Sequence, residues 1–261
     1  MKNVKPLAGK RIAVTRARHQ APALEALIRD FGGAPVAYPC IDIAPPTDRR
    51  PLEDCLRRLG QFDWLLLTSS NTVSAIANGL SALGIRPADS GIRLAAAGPA
   101  TAAAARKQLA QRVQHVPAEF GAAQLARSLP LRVPCRILLP QSDLASASTA
   151  ALLRARGALV TTVVAYRTVL AAGGADLPAM ISRRELDALT FTSPSAVSFF
   201  RRRCLSSAAL LLPAACIGSS TSAAAREHGF GRLIKPEKPT LSDMIAALAA
   251  YWAPASAADQ F

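Results

Sequence analysis

At 261 residues, against about 150 for an ordinary domain, the chain has room for two domains and is too long for one small module. Hydrophobic residues make up 51%, charged residues 18% and aromatics 5%, which excludes disorder over most of the length and leaves little for aromatic base-stacking platforms. Lysine and arginine number 31 against 17 acidic residues, a net +14. Such a surplus favours an anionic partner: nucleic acid, an anionic membrane surface or a polyacidic small molecule.

Residues 11–15 (RIAVT) read as a strand, followed by a helical stretch that closes near Phe31-Gly32-Gly33 and a second strand at 35–38. This is a β-α-β unit. Further apolar runs at 64–67, 93–96, 113–116, 137–139, 160–165, 188–191, 214–217 and 233–234 are separated by alanine-rich helical segments. The alternation predicts parallel sheets covered by helices on both faces. Two proline-punctuated or extended stretches, 38–46 and 163–169, are the candidate linkers, and the small, polar tail 254–261 is expected to fray.

The chain also repeats itself. Asp63-Trp64-Leu65-Leu66-Leu67-Thr68-Ser69 aligns with Asp187-Ala188-Leu189-Thr190-Phe191-Thr192-Ser193 at an offset of 124, and Gly33-Ala34 aligns with Gly157-Ala158 at the same offset. Gly98-Pro99-Ala100-Thr101 aligns with Gly218-Ser219-Ser220-Thr221 at 120. Blocks in the same order imply two copies of one α/β fold. The break between them need not lie at the midpoint, because duplicated domains can exchange their first units.

Cys40, Cys55, Cys135, Cys204 and Cys216 are far apart and form no C-x-x-C pair, so neither a zinc site nor a disulfide framework is expected. Basic residues are dispersed, and the run Arg201-Arg202-Arg203 is read as a solvated helix face, which argues against nucleic-acid binding. No uncharged apolar run approaches the ~18 residues of a membrane span, and no secretory core follows the early lysines. A soluble cytoplasmic protein without membrane contact is expected.

In open parallel sheets, ligands bind outside the carboxyl ends of the strands. There the sequence places Thr15-Arg16, Thr68-Ser69-Ser70-Asn71, Gly98-Pro99-Ala100-Thr101, Gln141-Ser142-Asp143, Thr192-Ser193-Pro194-Ser195 and Gly218-Ser219-Ser220-Thr221. These loops are mostly hydroxyls, amides and glycines. They are ordinary helix caps, and Gly98 and Gly218 are equally read as plain tight turns. The same loops also present helix N-termini, whose free N–H groups and partial positive charge receive carboxylate or phosphate without a lysine. Several such ends around one cleft would hold a polyanion.

Dinucleotide, Walker, nucleophile-elbow and zincin motifs are all missing. His19, His115 and His228 have no carboxylate or cysteine at ligand spacing and are read as surface or helix-end residues. Tyr166 closes the second linker stretch, either as an aromatic plug at a hinge or as a chemical group. Arg16 and Arg167 lie at similar edges, with a plain surface arginine as the alternative.

The ordered set Ile12-Ala13-Val14-Thr15-Arg16, Pro39-x-Ile41-x-Ile43-x-Pro45, Thr68-Ser69-Ser70-Asn71-x-Val73, Gly98-x-x-Thr101, Gly157-Ala158-x-Val160 with Tyr166-Arg167, Phe191-Thr192-Ser193-Pro194-Ser195-Ala196-Val197 and Gly218-x-x-Thr221 resembles the uroporphyrinogen-III synthase family. The resemblance implies an α/β protein of two flavodoxin-like parallel-sheet domains joined by a two-stranded linker, with the ligand cleft between them. One domain would take residues 1–38 and 168–261 and the other 42–164, with linkers at 39–41 and 165–167. It also implies an enzyme that closes hydroxymethylbilane to uroporphyrinogen III, with loss of water and inversion of ring D, using no metal or organic cofactor. Tyr166 matches the family's linker tyrosine, proposed there to help the hydroxyl leave. Substrate contacts are then expected from Arg16, Thr68, Ser69, Ser70, Asn71, Gly98, Thr101, Ser142, Thr192, Ser193, Ser195, Gly218 and Thr221. A monomer is expected, with the upstream bilane-forming enzyme as a candidate partner.

The chain departs from the family pattern at Thr72, where Ala is frequent, and at Gln141 and Ser146, where many members place Arg. Those departures shift anion binding toward Arg16 and backbone N–H groups. The rival reading is a non-catalytic two-domain protein that binds an anionic metabolite, and turnover separates the two.

Overall fold

The computed structural model describes residues 5–253. The elements run β1 (Arg11–Val14), α1 (Ala21–Asp30), β2 (Ala34–Ala37), β3 (Ile41–Ala44), α2 (Arg50–Arg57), β4 (Trp64–Leu67), α3 (Ser70–Leu83), β5 (Arg93–Ala96), α4 (Pro99–Leu109) and β6 (Val113–His115). They continue with α5 (Ala122–Ser128), β7 (Cys135–Ser142), α6 (Ser148–Ala155), β8 (Ala158–Leu170), α7 (Leu177–Ser182), β9 (Ala188–Phe191), α8 (Pro194–Arg203), β10 (Ala214–Cys216), α9 (Ser219–Glu227), β11 (Leu233–Ile234) and α10 (Leu241–Tyr251). The tail expected to fray, 254–261, lies outside the described residues.

The chain divides into two compact units, with boundaries between Asp42 and Ile43 and between Thr168 and Val169. Both boundaries fall inside strands, β3 and β8, which are neighbours in one sheet. The first unit carries a five-stranded sheet in the order β11-β10-β9-β1-β2, with parallel pairings throughout. Counted from β1, this is the 2-1-3-4-5 order of a flavodoxin-like doubly wound sheet. The second unit has the order β3-β8-β7-β4-β5-β6, and β8-β7-β4-β5-β6 pair in parallel. This is again 2-1-3-4-5 if β7 is counted first. Each copy of the duplicated sequence therefore contributes its opening β-α-β to the sheet completed by the other copy.

Matching hydrogen bonds mark the equivalence. Asp63, just before β4, accepts the Arg136 N–H on Oδ2 at 2.7 Å, and Asp187, just before β9, accepts the Arg11 N–H on Oδ2 at 2.8 Å. Each carboxylate caps an N–H at the start of the neighbouring strand. The equivalence of Arg11 with Arg136 corrects the alignment of the opening units by one residue, to an offset of 125. The glycine equivalent to Gly157 (φ +85°) is thus Gly32 (φ +91°), because each follows its helix in the left-handed region that only glycine enters cheaply.

Parallel strands buried on both faces need apolar residues at every position. In β4, Leu65 and Leu67 pack with Val73, Ile76 and Leu94 on one face, while Trp64 and Leu66 pack with Leu125, Leu139 and Leu153 on the other. In the first unit, Ile12 and Val14 of β1 pack with Leu24 and Ile28 of α1 and with Ile245 and Leu248 of α10. Burying one such leucine or isoleucine contributes about 1.5–3 kcal/mol before chain entropy is charged against it.

Candidate active site

The strand ends of the second unit bring together residues that are distant in sequence. Ser69, in extended conformation (φ −157°, ψ 163°), is the N-cap of α3 and accepts the Thr72 N–H on Oγ at 3.1 Å. The same Oγ lies 3.2 Å from the hydroxyl of Tyr166, 97 residues away. The Tyr166 side chain comes from β8 into the apolar core around Leu65 and Leu67 and is 8% exposed. Strand order explains the meeting, since only β7 separates β8 from β4. Ser70 and Asn71 form the first turn of α3, where backbone N–H groups have no partner within the helix.

The first unit repeats the device. Ser193 is the extended N-cap of α8 and accepts the Ala196 N–H at 3.1 Å, with Ser195 Oγ 3.0 Å away. Thr192 precedes it at the end of β9. Beneath these loops, Thr15 Oγ donates to the Thr190 carbonyl at 2.6 Å and Thr190 Oγ donates to the Ala13 carbonyl at 2.7 Å. This buried reciprocal pair locks β1 to β9 and so fixes where the next residue, Arg16, emerges.

Arg16 is not a plain surface arginine. Its Nη2 lies 3.5 Å from Gln20 Oε1, at the edge of hydrogen bonding, while its Nε is buried with no protein partner. Burial lowers its pKa, and no ion pair to it occurs among the described residues. A desolvated guanidinium held without a carboxylate has donors available for an anion.

Gly98 and Gly218 are extended N-caps of α4 and α9, with φ −178° and −168°, so the tight-turn reading fails. Packing does not demand glycine there either. An added Cβ would meet Phe120 Cβ at 3.5 Å or Pro239 Cβ at 3.6 Å, both ordinary contacts. Thr101 and Thr221 are 8% and 1% exposed, so these first turns offer a ligand their backbone rather than those hydroxyls.

Ser142 does not join the set. The loop after β7 opens no capped helix, because α6 starts only at Ser148, after Ala147, with no side-chain cap. Ser142 Oγ instead donates to Asp143 Oδ1 at 2.9 Å and lies 3.1 Å from Thr168 Oγ1. The same Asp143 oxygen accepts the Thr168 N–H at 2.9 Å, so the pair ties β7 to β8, and a carboxylate ligand there would meet another carboxylate.

The expected solvated face at 201–203 holds for Arg202, which is exposed and lies over Phe199, and is corrected for its neighbours. Arg203 donates to the carbonyls of Pro39 and Gly173 and stacks over Tyr38 at 4.1 Å, and Arg201 donates to the Cys204 carbonyl. Arg167 is likewise occupied, its Nε donating to the Pro45 carbonyl at 3.0 Å. All five cysteines are buried and unbridged, and burial pushes the Cys40 and Cys216 thiols up to about 12. His115 and His228 each bond a serine, Ser128 and Ser198. No metal-holding cluster of His, Cys, Asp and Glu occurs among the described residues, and none of their helices is long and apolar enough to cross a membrane.

One cation escaped sequence reasoning. Lys235, directly after β11, places Nζ 3.5 Å from Ser219 Oγ at the start of α9. The signal for it is its place directly after the run 233–234, since ligands gather at strand ends.

Two doubly wound parallel sheets with helices opening at their strand ends define a duplicated α/β protein. Residues 22–246 match the family described as Uroporphyrinogen-III synthase HemD. A uroporphyrinogen-III synthase from Synechococcus elongatus is 32% identical over 199 residues, 75% of each chain. The porphyrin biosynthesis protein HemD of Ruminiclostridium josui is 29% identical over 245 residues, covering 92% of this chain but 48% of that one. Among solved structures, a mutant uroporphyrinogen III synthase from Thermus thermophilus superposes with TM-score 0.65 at 23% identity, covering 93% and 99% of the two chains. The Helicobacter pylori enzyme gives 0.59 at 16%, with the same coverage. The chain belongs to the uroporphyrinogen-III synthase family, whose members are enzymes of porphyrin biosynthesis.

Proposed function

We propose that this chain takes hydroxymethylbilane, expels water from its terminal hydroxymethyl group and closes it to uroporphyrinogen III with ring D inverted. The observation that carries the reading is the contact of Tyr166 with the N-cap of α3, in a protein that also holds Arg16 Nε buried and unpaired. The substrate bears carboxylates on every pyrrole ring, which suits Arg16, Lys235 and helix N-termini.

Electron-rich pyrroles drive the bond cleavage. The C–O electron pair leaves on oxygen, which takes the Tyr166 proton and departs as water, while the positive charge spreads over the pyrrole. In the inverting path the ring D carbon that attacks already carries the bridge to ring C, so a spirocyclic intermediate forms. That bridge bond then breaks with its electrons returning to ring D, and the bridge carbon left cationic on ring C is taken by the hydrogen-bearing α carbon of ring D. The proton this carbon sheds returns to the phenolate. The protein's larger task is to hold ring D so that the inverting carbon attacks; the phenol assists. In this reading the protein works as a cytoplasmic monomer, without metal or organic cofactor, and receives its bilane from the enzyme that makes it.

The test is timed incubation of purified protein with hydroxymethylbilane and chromatographic separation of isomers I and III. Isomer III is expected. Isomer I at the unaided rate, with the bilane retained, would favour the non-catalytic binding protein instead.

A further inference from the structure

Three hydroxyls behind Tyr166 form a chain. Thr72 Oγ1 lies 3.0 Å from Ser69 Oγ and 3.5 Å from Thr68 Oγ1, and Ser69 Oγ lies 3.2 Å from the Tyr166 hydroxyl. Thr72 is 0% exposed, so its proton must go to one of these protein oxygens.

We infer that Thr72 is a positioning residue: its hydroxyl sets the direction of the Ser69–Tyr166 hydrogen bond so that the phenol proton is kept free for the substrate. The inference rests on the activity proposed above. A serine oxygen has one proton and two lone pairs. The Thr72 N–H takes one lone pair of Ser69 Oγ. If the Thr72 hydroxyl, at 3.0 Å, takes the other, the Ser69 proton points to the phenol oxygen. Tyr166 then accepts from Ser69 and donates outward, and the phenolate left after proton transfer keeps a donor against it at the positive end of α3. In the opposite direction, the Thr72 proton would fall on the 3.5 Å contact to Thr68, and the Tyr166 proton would be spent on Ser69.

The duplicated half supports the assignment. There the equivalent position is Ala196, Ser193 Oγ accepts the Ala196 N–H and lies 3.0 Å from the Ser195 hydroxyl, and among the described residues no phenol bonds to it. The threonine hydroxyl is present in the half where a tyrosine meets the cap.

The experiment compares kcat and KM of wild type, Thr72→Ala, Thr72→Val and Thr72→Ser, each alone and with Tyr166→Phe, with thermal unfolding as the check on folding. Thr72→Ala and Thr72→Val should lower kcat about two- to tenfold, the equivalent of one neutral hydrogen bond, with KM within twofold of wild type. Thr72→Ser should restore the rate, and in the Tyr166→Phe background the Ala and Val changes should cost nothing further. Loss that persists without the phenol, an unchanged kcat in both folded variants, or a serine variant as slow as alanine would overturn the inference while leaving the proposed activity standing. A wild-type protein without turnover would overturn both.

Discussion

Arg16 offers a test in which binding and stability move in opposite directions. Among the described residues its Nε is buried without a partner, and its Nη2 lies 3.5 Å from Gln20 Oε1. Replacing it by Gln removes the charge while keeping a chain of polar character. A hydrogen bond to a charged group contributes about 1.5–3 kcal/mol, so KM for the bilane should rise roughly ten- to 150-fold at about 1.4 kcal/mol per decade. Because the contact serves substrate and transition state alike, kcat should stay within about threefold. Burial lowers the Arg16 pKa, so the unfolded chain holds this proton more tightly than the folded one. Any contribution to stability is recovered only above the ordinary arginine range, and across the assay range the buried charge is a cost. Arg16→Gln should therefore leave Tm unchanged or raised. The assay pairs steady-state kinetics with thermal unfolding, both at neutral pH. An unchanged KM together with a lowered Tm would show that Arg16 serves the fold, and the anion-site reasoning would be wrong.

Tyr166→Phe should slow turnover about 10–100-fold and still yield isomer III by chromatography, because ring D is held by the loops; complete loss in the folded variant would require an essential acid. Gly98→Ala and Gly218→Ala place a Cβ at ordinary distance, so the unfolding free energy should fall by no more than about 1 kcal/mol. Any ligand lying against those N-caps would be displaced, seen as raised KM and more isomer I. Thr190→Val breaks the 2.7 Å bond to the Ala13 carbonyl and should cost about 1–3 kcal/mol in denaturant unfolding. With all five cysteines buried and the Cys40 and Cys216 thiols raised to about 12, these two remain neutral thiols at pH 8, so a thiol reagent should label native protein slowly and all five sites quickly in denaturant.

Local composition settled much of the architecture. Short, mainly apolar runs such as Trp64–Leu67 and Ala188–Phe191, each entered from an aspartate and left through a hydroxyl, can be read without neighbours, because a strand buried on both faces takes apolar side chains or, as at Thr190, a hydroxyl with a backbone partner. The repetition of Asp63 in Asp187 carried the duplication, and the hydrogen bonds of both carboxylates supply its physical basis. Ser69 and Ser193 were legible as caps for the same reason: a cap is decided within three residues of its helix.

What lay beyond the sequence was pairing at a distance. Only the order β8-β7-β4 sets the Tyr166 hydroxyl against Ser69, and only the register of β7 on β8 turns Ser142 and Asp143 toward Thr168. Arg201 and Arg203 looked as solvated as Arg202 because a charge run carries no record of the carbonyls it will meet. Arg16 was ambiguous for the converse reason. Its type and place are written in the chain, whereas its lack of a carboxylate partner depends on every residue the fold brings near it. Hydrophobic period and capping are local properties that a sequence states directly; whether a polar group is spent or left available is decided by the partners that tertiary structure supplies.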